Sequence, residues 1–156
     1  MMTRHQSNAQ ARGLCNCGAL RRASRRISQV YDAALAPSGV KTTQFAILAE
    51  LERSGGTEPV TLCELAGVMI MDRSTLGHNL RPLQRDRLVA MRLAEDDRRK
   101  RYLELTARGR IVLRRARRLW RVAERRFEKV LGKDPAAKLR MVLHGIATNA
   151  AFDRSQ

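Results

Sequence analysis

The sequence predicts a mainly α-helical fold with one small β-hairpin. Apolar residues recur at three- and four-residue intervals through most of the chain, which is the spacing of one helix face. The two segments that read as short strands, 88–93 and Arg101–Leu105, flank one polar turn, Ala94-Glu95-Asp96-Asp97-Arg98-Arg99-Lys100, as a hairpin with a long charged tip requires. With 156 residues and 44% apolar content, the chain can bury a single core.

In chain order, residues 1–13 read as a mobile arm. From about Asn16, Leu20, Ala23, Ile27, Val30, Tyr31 and Ala34 keep helical spacing up to Pro37-Ser38-Gly39. A second helix over 42–53 carries Phe45, Ile47, Leu48 and Leu51 and stops at Ser54-Gly55-Gly56, where glycine can take a left-handed cap. Thr61-x-x-Glu64 has capping-box spacing, so a short third helix begins at Leu62. Asp72 caps a fourth over 73–85, which Pro82 should kink or end early. After the hairpin, Thr106 caps a long helix ending at Leu131-Gly132. Asp134 then caps a last helix, with Pro135 in its first turn and a stripe of Leu139, Val142, Leu143, Ile146 and Ala150.

Charge narrows the function. Thirty-one basic residues, 26 of them arginine, stand against 15 acidic ones, for a net charge of +16. Arginine makes forked contacts with phosphate and guanine, so nucleic acid is the first expected partner, although a GC-rich genome also raises arginine. No apolar run approaches the roughly 20 residues of a membrane span, and residues 1–13 lack the apolar stretch of a secretory signal. Three cysteines (Cys15, Cys17, Cys63) are too few and odd in number for a disulfide framework, so a reducing cytoplasm is expected. His5, His78 and His144 are scattered, and no HExxH, Walker or GxSxG pattern occurs, so no enzyme, cofactor or metal is expected.

The third and fourth helices form a helix-turn-helix candidate. Ala66 is small where the helices cross, Leu76 is the buried anchor, and the outward face of the fourth helix is polar. A charged hairpin directly after such a pair is a wing. Leu65-Ala66, Asp72-Arg73-Ser74-Thr75-Leu76, Leu80-Arg81-Pro82-Leu83, Leu88-Val89, Asp97-x-Arg99 and Leu105-Thr106-x-x-Gly109 together make the sequence resemble the MarR family of bacterial transcriptional regulators. The resemblance covers residues 14–152. It implies a winged helix-turn-helix over 39–106, flanked by dimerisation helices over 14–38 and 107–156, and a homodimer that sets two recognition helices in successive major grooves of a palindromic double-stranded operator. It departs from the family at Ile70, in the turn, and at Arg87, leading into the wing, where many relatives have glycine.

Arg73, Ser74, Thr75, His78, Asn79, Arg81 and Arg85 are the outward candidates on the recognition helix. Ser74, Thr75, His78 and Asn79 suit base edges or backbone, whereas Arg73, Arg81 and Arg85 suit phosphate or guanine. The resemblance implies that Arg99 of the wing enters the minor groove, held by Asp97, while Arg98, Lys100 and Arg101 attract phosphate. The long helix carries nine arginines between Arg108 and Arg126, most read as snorkelling from an amphipathic helix.

Cys15 and Cys17 fall at the start of a helix near Arg21 and Arg22, conditions that favour a thiolate. In the hydroperoxide-sensing branch of the family a reactive cysteine sits there, and Tyr31, 14 residues after Cys17, matches a partner tyrosine reachable only from the other subunit. Other expected tyrosine positions hold Thr42 and Arg21, and packing is the first reading for all three cysteines. Three functions therefore stay open. The first is a dimeric repressor released by a small ligand such as an aromatic acid, with Arg22, Arg25 and Arg26 as counter-charge. The second is a thiol-based hydroperoxide sensor of the same fold, and the third a non-specific nucleoid- or RNA-coating protein. All three place the protein on nucleic acid in a bacterial cytoplasm.

Overall fold

The structure is a computed structural model, which describes residues 15–55, 59–93 and 100–152. The expected arm over 1–13, Gly56 and the wing tip with Asp97, Arg98 and Arg99 lie outside the described residues. The elements are α1 (Asn16–Leu35), α2 (Thr42–Ser54), β1 (Val60–Thr61), α3 (Leu62–Val68), α4 (Arg73–Arg85), β2 (Val89–Leu93), β3 (Arg101–Leu105), α5 (Ala107–Leu131) and α6 (Lys133–Thr148). Single 3-10 turns follow α1, at Ala36–Ser38, and α6, at Ala150–Phe152.

Helix starts follow the predicted caps. The Thr61 hydroxyl accepts the Glu64 amide at 3.2 Å while a Glu64 carboxylate oxygen accepts the Thr61 amide at 2.8 Å. Asp72 accepts the Thr75 amide at 2.8 Å and the Thr75 hydroxyl at 2.7 Å. Four expectations are corrected. Gly55 closes α2 at φ −79°, outside the left-handed region, with its amide bonded to Leu51. Pro82 does not end α4, because Leu80 and Leu83, buried on either side of it, hold the helix to Arg85. The last helix starts at Lys133, ahead of its expected cap: Asp134 sits inside the first turn and Gly132, at φ +94°, precedes the helix. The two-residue strand β1 was not predicted, being too short to show alternation. It pairs antiparallel with β3, Val60 opposite Leu103, so the sheet order is β1-β3-β2.

The core lies where the sheet, α2, α3, α4 and the first half of α5 meet, around Ile47, Leu48, Leu65, Leu76, Leu80 and Leu113. Phe45 stacks on Trp120 at 6.0 Å between ring centroids, joining α2 to α5. Ala66 and Leu76 are buried at the helix crossing, as expected.

The two departures from glycine, Ile70 and Arg87, occupy equivalent backbone positions. Ile70 (φ +51°) and Arg87 (φ +57°) are the non-glycine residues with left-handed backbone among those described. Each follows a helix with the same closing pattern. After α3, the Met71 amide bonds Ala66 and the Ile70 amide bonds Gly67; after α4, the Leu88 amide bonds Leu83 and the Arg87 amide bonds Gln84. This double closure needs a left-handed residue, the place glycine fills at least cost. The chain instead carries a β-branched and a long side chain there, both exposed.

The junction after Arg87 is tight. The Thr106 hydroxyl accepts the Gly109 amide at 2.9 Å and donates between the carbonyls of Arg87, at 2.8 Å, and Leu88, at 3.2 Å. A β-carbon on Gly109 would lie 2.1 Å from the Leu88 carbonyl oxygen. Gly109→Ala should therefore cost at least about 1–3 kcal/mol in chemical denaturation, since backbone must move to admit the methyl group. Ile70→Gly should gain up to about 1 kcal/mol, a rise of about 2–4 °C in melting temperature, because the side chain is 67% exposed and only strain is removed.

The Asp72 cap makes a third expectation. Its hydrogen bonds from the Thr75 hydroxyl, then from the Thr75 amide, hold its carboxyl below the ordinary carboxylate range. A depressed native value means the cap is complete above the unfolded value, about 4, and is lost as pH falls through the lowered one. In an NMR titration of the Asp72 carboxyl carbon, Thr75→Val should move the midpoint upward. An unmoved midpoint would remove the hydroxyl as the principal cause.

Candidate nucleic-acid interface

Helix α4 stands with Leu76, Leu80 and Leu83 inward and Arg73, Ser74, Thr75, His78, Arg81 and Arg85 exposed, with Asn79 half-buried. Its first turn carries local bonds. Besides the bond from the Thr75 hydroxyl to Asp72, the Asn79 side-chain amide donates to the Thr75 carbonyl at 2.9 Å. These bonds fix both side chains against their own helix. Arg85 is held by its neighbour Asp86 at 2.9 Å, whose carboxyl the guanidinium keeps below its usual range. The first-half arginine, Arg73, is exposed at the entrance to α4.

Two grooves border this helix. One, of about 760 Å³, runs between the base of the wing and the start of α3 and brings Arg73 together with Lys100 and Arg101, alongside Thr61, Cys63 and Tyr102. The wing strands that carry it are in register from Val89–Leu105 to Leu93–Arg101, with an Arg92–Glu104 ion pair across them. The other, of about 710 Å³, lies on the opposite flank and is lined by His78, Asn79, Arg81 and Arg85, facing Lys41 and Gln44 of the α2 start. Lys41 and Gln44 escaped the sequence reading. The pairing of the Lys41 amide with the Gln44 side chain, at 2.9 Å and a spacing of three, is the cap signal that would have drawn attention to them.

The other expected sites are scattered. Cys15, Cys17 and Cys63 are free and exposed. Cys15 lies at the N-cap of α1, where its sulfur accepts the Gly18 amide at 3.3 Å. Tyr31 is buried, and its hydroxyl donates to Glu124 at 2.6 Å; burial, then that bond, pushes its pKa well above the ordinary tyrosine value. Arg25 lines a shallow depression of about 380 Å³ with Leu20, Arg21 and Ser24, and neither Arg22 nor Arg26 lines it. Among the described residues no three His, Cys, Asp or Glu side chains come together as metal ligands. None of the described helices is long and apolar enough to cross a membrane.

No family model matches the chain, and no curated protein matches it. Solved structures do. The transcriptional regulator MosR of M. tuberculosis, in complex with DNA, is 37% identical with a TM-score of 0.75, and the match covers 88% of this chain and 98% of that one. The transcriptional repressor CouR, bound to a 23-mer DNA duplex, is 28% identical with a TM-score of 0.76, over 85% of this chain and 92% of that one; CouR is also known bound to p-coumaroyl-CoA. A MarR-family regulator from Rhodococcus sp. RHA1 shares the fold, at 22% identity and a TM-score of 0.73 over 84% of this chain and 91% of that one. With a helix-turn-helix, a three-stranded wing sheet and long flanking helices in this order, the chain belongs to the MarR family of DNA-binding transcriptional regulators.

Proposed function

We propose that the protein is a homodimeric repressor that binds a palindromic operator and is released by a small anionic ligand. The carrying observation is the exposed face of α4 beside Arg73, Lys100 and Arg101, on a fold 37% identical to a regulator solved with DNA. In this reading Ser74, Thr75, His78 and Asn79 read bases, Arg81 and Arg85 grip phosphate, and Arg99, positioned by Asp97, enters the minor groove with Arg98 alongside.

Dimerisation accounts for the surface that the single chain leaves uncovered. Val130 (83%), Met141 (73%), Phe152 (70%) and Val142 (60%) are exposed on α5, α6 and the turn beyond, and the first half of α1 is exposed except at the half-buried Gly18. Apolar exposure on this scale marks an interaction surface, and a two-fold partner would set two copies of α4 one helical turn of DNA apart. Release requires a ligand that binds better when that separation is wrong. CouR, solved both with DNA and with an acyl-CoA, supports a ligand of that anionic, part-aromatic type. Arg22, Arg25 and Arg26 on α1 supply counter-charge.

A second reading, release by thiol oxidation, rests on the exposure of Cys15 and Cys17 and on the position of Cys15 at a helix N-terminus. Tyr31 does not favour it, since its hydroxyl is committed to Glu124. Organic hydroperoxide that abolishes DNA binding in the wild type but not in Cys17→Ser would establish it in place of ligand release.

Two outcomes test the main reading. Arg99→Ala should weaken operator binding at least about tenfold in a mobility-shift titration at fixed salt, with the sedimenting mass unchanged. Met141→Glu combined with Val142→Glu should give a folded monomer that has lost operator affinity. A palindrome bound no better than random duplex by the wild type would overturn the reading in favour of a non-specific coating protein.

A further inference from the structure

Five arginines of α5, Arg110, Arg114, Arg118, Arg121 and Arg125, recur at intervals of four, four, three and four residues. At about 100° per residue they fall within about 80° of one helix face, and all five are exposed. The opposite face carries the buried Gly109, Leu113, Ala116 and Ala123. None of the five forms an ion pair among the described residues, whereas Arg117, on the flank, is matched by Glu52 at 2.7 Å. Like charges at i and i+4 oppose each other, so the stripe weakens the free helix and calls for an anion.

Among the described residues, the terminal helices of a second copy offer little of it. Helices α1, α5 and α6 hold four carboxylates between them. Asp32 accepts the Thr42 amide and hydroxyl, Glu124 accepts Tyr31 and faces Arg140, and Glu128 faces Arg140, which leaves Asp134 alone. That favours an anion from outside the protein, and its shape is set by the track, which is straight and about 22 Å long with a guanidinium about every 6 Å. Duplex DNA carries one negative charge per about 1.7 Å of axis over its two strands, so a track of this length lies along about two thirds of a helical turn and crosses both backbones. No aromatic ring stands on the stripe to stack unpaired bases: Trp120 is turned inward against Phe45. That favours the paired backbone over a single strand.

We propose that the outer face of α5 is a docking track for the phosphate backbone of duplex DNA, separate from α4 and the wing and indifferent to sequence. It would hold duplex flanking the operator or a second segment, raising the affinity for any DNA without changing which site is preferred.

The test is a salt titration of the full-length protein on random-sequence duplex, read by fluorescence anisotropy. Arg114→Gln, Arg118→Gln and Arg121→Gln combined should weaken binding at low salt by at least about tenfold. The slope of log K against log salt should become shallower by about 2–3 per protomer. The ratio of palindrome to random affinity should hold or rise. The same charge removed elsewhere, by Arg126→Gln, Lys133→Gln and Lys138→Gln, should change the slope by less than half as much. Melting temperature should not fall, because repulsion is relieved.

An unchanged slope, or an equal change in both triple variants, overturns the track. So does a lower sedimenting mass, which would make the face a contact between copies. Loss of single-stranded RNA or anionic-vesicle binding in place of duplex binding would overturn it too. These readouts are independent of operator preference, so the track can fail while the operator reading stands, and the reverse.

Discussion

The arrangement of recognition helix, wing and long helix depends on one close approach, between the start of α5 and the Leu88 carbonyl. Thr106 is the meeting point. Its hydroxyl caps α5 and bonds the chain that leaves α4, while its amide bonds Leu88 at 3.1 Å. Three elements that diverge from this point are thereby fixed at their shared end. The geometry tolerates no β-carbon at Gly109, and it needs Arg87 in a left-handed conformation so that Leu88 turns inward beside Leu83. Local strain at Arg87 is thus part of how the wing is aimed, stabilised by a buried Leu88 and by hydrogen bonds on both sides.

Much of this was legible in the sequence because side-chain chemistry at helix starts is local. Thr61 with Glu64, Asp72 and Thr106 each announced a helix that begins where expected, since a side-chain oxygen three residues ahead of an amide closes a cap whatever surrounds it. Helix ends were less legible. The closures at Ile70 and Arg87 use backbone bonds that any residue can make, so without glycine they leave no mark in composition. Pro82 misled for a related reason: its cost is local and visible, whereas the burial of Leu80 and Leu83 that outweighs it is tertiary. Strand β1 exists only through its pairing with β3. At the interface the outward residues of α4 could be named in advance, but Lys41 and Gln44 could not, because it is folding that brings the start of α2 opposite His78 and Arg81.

The terminal helices meet at a polar knot rather than a purely apolar seam. Tyr31 of α1 and Arg140 of α6 both reach Glu124 of α5, at 2.6 and 3.6 Å, and Arg140 also faces Glu128 at 3.5 Å. Directional bonds of this kind specify one relative placement of three helices, which apolar stripes, able to slide by a turn, specify less sharply. A second pair of bonds, from the Thr42 amide and hydroxyl to Asp32, each 2.6 Å, ties α1 to the start of α2. Displacement of α1 would therefore be felt at α2 and, across the groove that holds Lys41, beside α4. That is a contiguous physical route from the terminal helices to α4.

Net charge alone says little about such a molecule, because the same +16 can act in two ways. Arg73, on the proposed reading, would work by position: it lies beside Lys100 and Arg101 in one groove, where geometry relative to a base step would matter. The stripe on α5 would work by field, since its guanidinium groups are exposed, evenly spaced and without an ion pair among the described residues, Glu124 and Glu128 being turned to Arg140. A positional arginine raises the preference for one sequence over another, whereas a field raises affinity for every sequence and is the first to weaken with salt. Both serve a regulator that must find one site among many. On the proposed readings the field would hold it near DNA during the search, and the few positional groups would decide where it stops. Excess arginine is then neither simply a binding signal nor an ornament of genome composition. Its meaning is set residue by residue, by whether the fold gives each guanidinium a carboxylate, as it does Arg117, or leaves it facing outward, as it does Arg118.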